Sequence, residues 1–327
     1  MPDPVPSHNA DALSRLIEVA GLHARLDLRC QFGGGYGVDH ELAAEGDLPF
    51  HLVLQGHCRI VLAGGETVAM GPGDFVALPR GAAHRLESLS APATAQNFRM
   101  QIDGVLPLRT NTEEEGAVEL DLLCGRLKSD AKAADALFTA LPGVLRASLA
   151  DSSAAAQIGP IVALIRQEID AQRPGVLALV TALFTALFTL ALRAHVEGDQ
   201  VQPGVTRLAS DPRLARAAQA VLADPGQDWP LDALADLSAM SRATFMRRFT
   251  QLAGMTPGDF ITLVRLAHAA KLLRQTRRST ADIGQAVGYQ SEAAFHKAFA
   301  KAMGASPAAF RRGAPETASA QQGASNI

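Results

Sequence analysis

At 327 residues and 48% hydrophobic composition, the chain is long enough for two cored domains and too apolar for a wholly disordered one. Its formal net charge of −3 hides an asymmetry: residues 1–206 carry 15 Lys and Arg against 24 Asp and Glu, a net of −9, whereas residues 207–312 carry 15 against 8, a net of +7. A basic block on an acidic body points to an anionic partner for the basic part alone.

The opening MPDPVPSHNADAL has neither a basic n-region nor an apolar h-region, so residues 1–25 read as a disordered lead and a short helix rather than a signal peptide. From residue 26 to 112, Gly and Pro turn signals recur every eight to twelve residues (GGG at 33–35, AGGE at 63–66, GPGD at 71–74) between short apolar runs such as FHLVLQG and DFVALP. That rhythm predicts an all-β sandwich or barrel. Three cysteines, Cys30, Cys58 and Cys124, lie far apart without CxxC spacing, which fits a reducing cytoplasm and indicates neither a disulfide framework nor a zinc finger. Residues 113–198 turn to long Ala and Leu runs at helical spacing, predicting helices that pair subunits or bridge domains. Within them Val176 to Leu192 is 17 residues without a charge, at the lower limit for a bilayer. Thr181, Thr185 and Thr189 make a polar stripe and no Trp or Tyr marks an interface, so a buried or dimer-forming helix is expected and no membrane. GDQVQPG at 198–204 is the predicted linker. From Asp211 the reading is helical in seven pieces, opened by Asp211 as N-cap with Pro212 behind it. The tail, 313–327, is small and polar and expected to be disordered.

The C-terminal part contains a repeat. Ser241, Phe245, Phe249, Gly254, Pro257 and Phe260 recur at constant offset as Ser291, Phe295, Phe299, Gly304, Pro307 and Phe310, and Asp232 maps onto Asp282 by the same shift. Two copies are too few for a solenoid. Each copy is a short helix, a three- or four-residue turn carrying Gly288 or, by that shift, Ser238, and a second helix capped by Ser: a helix-turn-helix. Helical spacing assigns the phenylalanines to the core. The opposite face holds Arg242, Ala243, Met246 and Arg247 in one copy and Glu292, Ala293, His296 and Lys297 in the other, positions from which a recognition helix reaches base edges. Arg247, able to bond guanine O6 and N7 together, is the first candidate. Ser241, Arg248, Arg274, Arg277, Arg278, Ser291, Lys301, Arg311 and Arg312 are candidate phosphate contacts, supplying affinity without sequence information. The helix predicted between the copies, Thr256 to Gln275, has 20 residues. Its length is about 30 Å, against roughly 34 to 36 Å for one turn of duplex, so it can space two readers over successive major grooves.

Residues 211–312 resemble the DNA-binding domain of the AraC/XylS family of bacterial transcription regulators, most specifically in DIGQAVGYQSEAAFHKAFAKAMGASPAAFRR. GDFVALPRGAAH, Gly73 to His84, fits the second cupin motif G-x5-P-x-G-x2-H and resembles the cupin sensor of such regulators, as does FHLVLQG around His51. The resemblance implies a multidomain α+β chain: a cupin-like sensor barrel over 26–112, a helical middle segment over 113–198, and an all-α domain with two helix-turn-helix motifs over 207–312. It implies a cytoplasmic, homodimeric, sequence-specific regulator acting on double-stranded DNA, with RNA polymerase as a further partner and an unidentified small-molecule or oxidant signal. The first cupin motif's HxH is absent, since Leu52 and Val53 follow His51. His51, His84 and His40 are therefore candidate effector-pocket residues, and no cofactor is expected. A metal on His51 and His84 would need a third ligand, with His40 or His57 in reach of the sequence. Cys30, with Arg29 beside it, is a candidate redox sensor, although Ser88 to Ile102, where oxidant-responding relatives would place a partner, has no Cys. The alternative is a metal-dependent, dioxygenase-like cupin enzyme carrying a DNA-binding appendage.

Overall fold

A short helix, α1 (Ala12–Ala20), is capped by Asp11, whose carboxylate accepts from the Ser14 amide, and ended by Gly21 in the left-handed conformation. The computed structural model describes residues 11–44, 46–89, 98–102, 104–128, 141–149, 155–197 and 203–312. The expected lead before residue 11, linker residues 198–202 and the tail lie outside the described residues.

Eleven strands follow among the described residues: β1 (His23–Phe32), β2 (Gly37–His40), β3 (Asp47–Gln55), β4 (Cys58–Leu62), β5 (Thr67–Met70), β6 (Phe75–Ala77), β7 (His84–Ser88), β8 (Arg99–Gln101), β9 (Leu108–Thr110), β10 (Leu120–Lys128) and β11 (Leu145–Ala147). They form a seven-stranded sheet, β11-β6-β3-β10-β1-β9-β8, and a four-stranded sheet, β2-β7-β4-β5. Every pairing is antiparallel except β1 with β9. Phe32, Val53, Val76 and Leu122 from one sheet share a core with Val38, Ile60, Met70 and Leu86 from the other. The opposite face of the larger sheet, with Phe50, Leu52, Leu123 and Leu127, joins a second core with helices α2 (Ala155–Ala171) and α3 (Val176–Glu197).

One sequence expectation changes here. The helical reading from residue 113 fails for residues 120–128, which are the strand between β1 and β3. Both faces of β10 are covered, Leu122 and Cys124 by the inner core and Leu123 and Leu127 by the helices, so the polar alternation that marks a strand is missing. A bulge interrupts β1 between Leu26 and Leu28. Ala24 and Leu26 face the helices, whereas Cys30 and Phe32 face the interior. Arg29 consequently points away from Cys30 and bonds Asp121 through Nε at 2.8 Å and Asp170 on α2 at 3.1 Å.

The charge-free segment makes up most of α3, and one side of it is buried. Val180, Phe184, Leu187, Phe188, Ala191 and Leu192 are buried, and Phe184 stacks on Phe50 with ring centroids 4.5 Å apart. Thr185 and Thr189 donate to the carbonyls of Thr181 and Thr185 within the helix. Leu177 and Leu179, about two-fifths exposed at 41% and 40%, lie on the outward side.

Seven helices make the C-terminal part: α4 (Pro212–Ala223), α5 (Leu231–Leu237), α6 (Arg242–Ala253), α7 (Pro257–Gln275), α8 (Thr280–Ala286), α9 (Glu292–Met303) and α10 (Pro307–Arg311). Asp211 caps α4 and Ser241, Thr256, Ser279, Ser291 and Ser306 cap later helices, each side chain accepting a first-turn amide. Helix α1 packs on α4 and α7, with Leu16 in their shared core and Glu18 Oε1 accepting from Lys271 Nζ at 3.2 Å. The N-terminal helix thus packs on the basic region.

Candidate nucleic-acid interface and sensor pocket

In each motif the core fixes what remains outside. Phe245, Phe249 and Ala253 bury one side of α6, and Phe295, Phe299 and Met303 bury the same side of α9. Gly254 and Gly304 end both helices in the left-handed conformation. The turns differ by one residue. Met240 and Tyr289 amides close onto Ala235 and Gly284 carbonyls, so Ala239, at φ 49°, is the counterpart of Gly288, at φ 87°. The constant offset holds for α6 and α9 but not for α5 and α8, and Ser238 is a buried residue before the turn rather than the match of Gly288. Asp232 accordingly does not superpose on Asp282 either.

The outward faces carry the predicted residues. Arg242, Ala243, Arg247, Glu292, Ala293 and Lys297 are exposed, and Met246 and His296 are half-buried. Arg247 has no ion-pair partner among the described residues, whereas Arg242 lies 3.5 Å from Asp232 and Arg248 3.3 Å from Asp211. Glu292 Oε1 sits 3.4 Å from His296 Nε2 and accepts from Thr280 Oγ1 at 3.2 Å. Around these helices Arg277, Arg278, Lys301 and Arg312 are exposed, and Ser241 and Ser291 stand at helix starts. Two of the expected phosphate ligands also have partners within the fold. Arg311 donates to the Leu273 and Arg278 carbonyls, closing the end of α7, and Arg274 lies over the Phe310 ring at 4.7 Å. Helix α7 has 19 residues, a length of about 28 Å.

The candidate sensor pocket lies between the sheets. His51 is on the inner face of β3, while His40 and His84 face each other in the β2–β7 register. His51 Nε2 is 2.8 Å from His84 Nε2, the His40 ring stacks on His84 at 4.6 Å, and the three rings offer nitrogens within 4.8 Å of one another. All three expected pocket residues therefore meet, whereas His57 is exposed in the turn before β4. A cavity of about 220 Å³, with Asp27, Glu41 and Ala44 in its wall, reaches this trio. Gly81, at φ 62°, packs against this wall, where a Cβ would press the Ala43 Cβ at 3.0 Å. Burial lowers the pKa of all three, with neighbouring imidazoles adding to it at His51 and His40, the latter reaching about 4.

Sequence reasoning missed Cys124, because β10 was not recognised as a strand. Its Sγ is 3.2 Å from His51 Nδ1 and 3.9 Å from the Cys30 Sγ, so the partner for Cys30 comes from β10 rather than from residues 88–102. The Cys30 contact and burial hold the Cys124 thiol well above its ordinary pKa.

A cupin family model matches residues 11–197, and a helix-turn-helix domain model matches residues 234–313. The chain is 33% identical over 303 residues to an uncharacterized HTH-type transcriptional regulator of Haemophilus influenzae, covering 92% of this chain and 98% of that protein. It is 28% identical over 302 residues to the RCS-specific HTH-type transcriptional activator RclR of Escherichia coli, covering 92% and 97%. A putative AraC-like transcription regulator of Streptomyces lividans is 28% identical over 309 residues, covering 92% and 98%.

Proposed function

Since the chain belongs to the AraC family of DNA-binding transcriptional regulators, with a cupin as its N-terminal part, we propose that a signal received in the histidine pocket controls how α6 and α9 are presented to DNA. The observation that carries this reading is the pair of Ser-capped helices whose aromatic sides are buried and whose outer sides are exposed, joined through α7. In this reading Arg247 and Arg242 read bases in one major groove, Glu292 and Lys297 read them in the next, and Ser241, Arg248, Arg277, Arg278, Ser291, Lys301 and Arg312 hold phosphates. The chain acts in the cytoplasm as a regulator rather than an enzyme, and pairs with a second copy through the outward side of α3. RNA polymerase is its expected partner at a promoter.

Recovery of fragments bound by the full-length protein from the source genome, followed by footprinting, tests this reading. The expected result is a shared sequence with two protected major-groove segments about ten base pairs apart for each protomer. Recovery of unrelated sequences, with no common footprint, overturns it.

A second input has its own observation. Cys30 and Cys124 are buried 3.9 Å apart, and an oxidant of the peroxide or hypohalite class could take two electrons and two protons from them to leave a disulfide. The Escherichia coli relative is named RCS-specific. Mass mapping of alkylated thiols before and after oxidation should show Cys30 linked to Cys124; if both stay reduced while DNA binding still responds, this input is removed.

A further inference from the structure

We propose that the cavity between the end of α2 and the β1–β9–β8 side of the larger sheet binds a small neutral carboxamide, a ligand with an apolar body and adjoining carbonyl and N–H groups. This site goes beyond the histidine pocket and does not depend on it.

The cavity holds about 230 Å³, below the range of about 300 to 1,000 Å³ that drug-sized ligands fill. Its ligand is therefore of fragment size. Arg29 and Gln31 enter its wall from β1, whereas Cys30 between them faces the inner core on the other side of the sheet. The sheet itself separates this site from the three histidines. Leu106 and Leu108 add apolar wall from the β8–β9 connection and β9, and Ile169 adds it from α2.

Charge selects the class of ligand. Among the described residues Arg29 is the one charged side chain in the wall. Its Nε and Nη2 hold both oxygens of Asp121, at 2.8 and 2.5 Å, and its Nη1 holds Asp170 at 3.1 Å. Neither carboxylate lines the cavity. An entering carboxylate would meet two negative charges around one positive, and an entering cation would face the guanidinium, so a neutral group is favoured. Three bonds do not exhaust the N–H groups of a guanidinium, and Arg29 still has donors on Nη1 and Nη2. Gln31 supplies the complement. Its Nε2 lies 3.4 Å from Asp121 Oδ2, which can only accept, so the nitrogen faces the carboxylate and Oε1 is left to accept. The two residues stand about 7 Å apart along one face of β1, and both side chains are long enough to reach one amide group. Gln172 stands at the mouth. It follows α2 in the left-handed conformation at φ 47°, a strained choice for a residue other than glycine. Gly104 leaves space for its amide, since a Cβ there would lie 2.8 Å from Gln172 Nε2.

Saturation-transfer NMR on the full-length protein compares benzamide, benzoate and benzamidine, which share a shape and differ in charge. Benzamide should give saturable transfer and bind about tenfold or more tightly than either ion. Gln31→Leu, which removes the acceptor, and Gly104→Leu, which crowds the mouth, should each weaken benzamide about tenfold. Methyl spectra of the unsubstituted protein locate the ligand without any substitution: signals of Leu106, Leu108 and Ile169 should move on adding benzamide while those of Val38 and Ile60 in the inner core stay. Absence of saturable transfer from benzamide, an ion that binds as well as the amide, binding unchanged in both variants, or shifts confined to the inner core overturns the proposal. The measurement uses no DNA, so its outcome is independent of the footprinting.

Discussion

Arg247 is the position at which a single side chain has most to decide. It is exposed on α6, unlike Arg242 and Arg248 it makes no ion pair among the described residues, and its planar fork matches guanine. Arg247→Ala should cost about 1 to 3 kcal/mol on the selected sequence and relax preference at one base position, whereas Lys301→Ala should weaken all sequences alike and lower the salt slope by about one. Anisotropy titrations on cognate and scrambled duplexes at several salt concentrations check both. Equal behaviour of the two variants would show that the roles are assigned wrongly. At this scale the helix caps were legible, because Ser or Asp before an amphipathic run has one common purpose. Ala239 was not, since the shorter turn of the first motif breaks the offset that holds for α6 and α9. An alanine in the left-handed region costs roughly 1 to 2 kcal/mol relative to a right-handed one, so Ala239→Gly should raise stability by about 1 kcal/mol in urea melts without changing DNA affinity.

At the scale of elements, α7 sets a phase as well as a distance. Inserting one alanine after Leu263 advances everything beyond it by about 100° and 1.5 Å. The buried side of α7 (Val264, Ala267, Leu273) would then lose its register against α9 and α10, or α9 would turn away from the groove. Either way affinity should fall to that of one motif, and footprinting should show one protected segment instead of two. The length of α7 was readable from the sequence to one residue, because Thr256-Pro257 starts it and a basic cluster ends it. The extent of the β domain was not readable, because β10 is apolar on both faces and resembles a helix segment until its neighbours are known. Helix α3 shows the reverse: its apolar character was plain, but which side meets the sheet required the structure. Leu179→Glu, on the outward side, should dissociate a dimer in sedimentation measurements while leaving the melting curve nearly unchanged. Phe184→Ala, against Phe50, should destabilise the chain by about 3 to 5 kcal/mol.

For the whole molecule, five buried or half-buried histidines tie the β domain and its junction to pH. Burial is the leading cause of a lowered pKa at His40, His51 and His84 in the pocket, at His195 near the end of α3, and at His268 on α7, where Lys271, Arg278, Glu18 and Asp224 also act. Each is harder to protonate folded than unfolded, where the ordinary value is about 6.5. Above that pH neither state takes up the proton, and the groups contribute nothing to the pH dependence. As pH falls below 6.5 the unfolded chain binds protons first, so stability drops until the folded values are reached. For His40, whose folded value is about 4, the loss amounts to at most about 3 kcal/mol across that window. Metal-free protein should therefore melt at a nearly constant temperature from pH 8 to 6.5 and progressively lower toward pH 4. His40→Gln should flatten part of the decline in the sensor, and His268→Gln part of it at the junction with α1. Carboxylates that pair in the fold also lose their partners in acid, but that loss begins nearer their own ordinary range of about 4. A melting temperature that holds steady from pH 6.5 to 5 and falls only below it would assign the acid response to carboxylates and exclude the histidines.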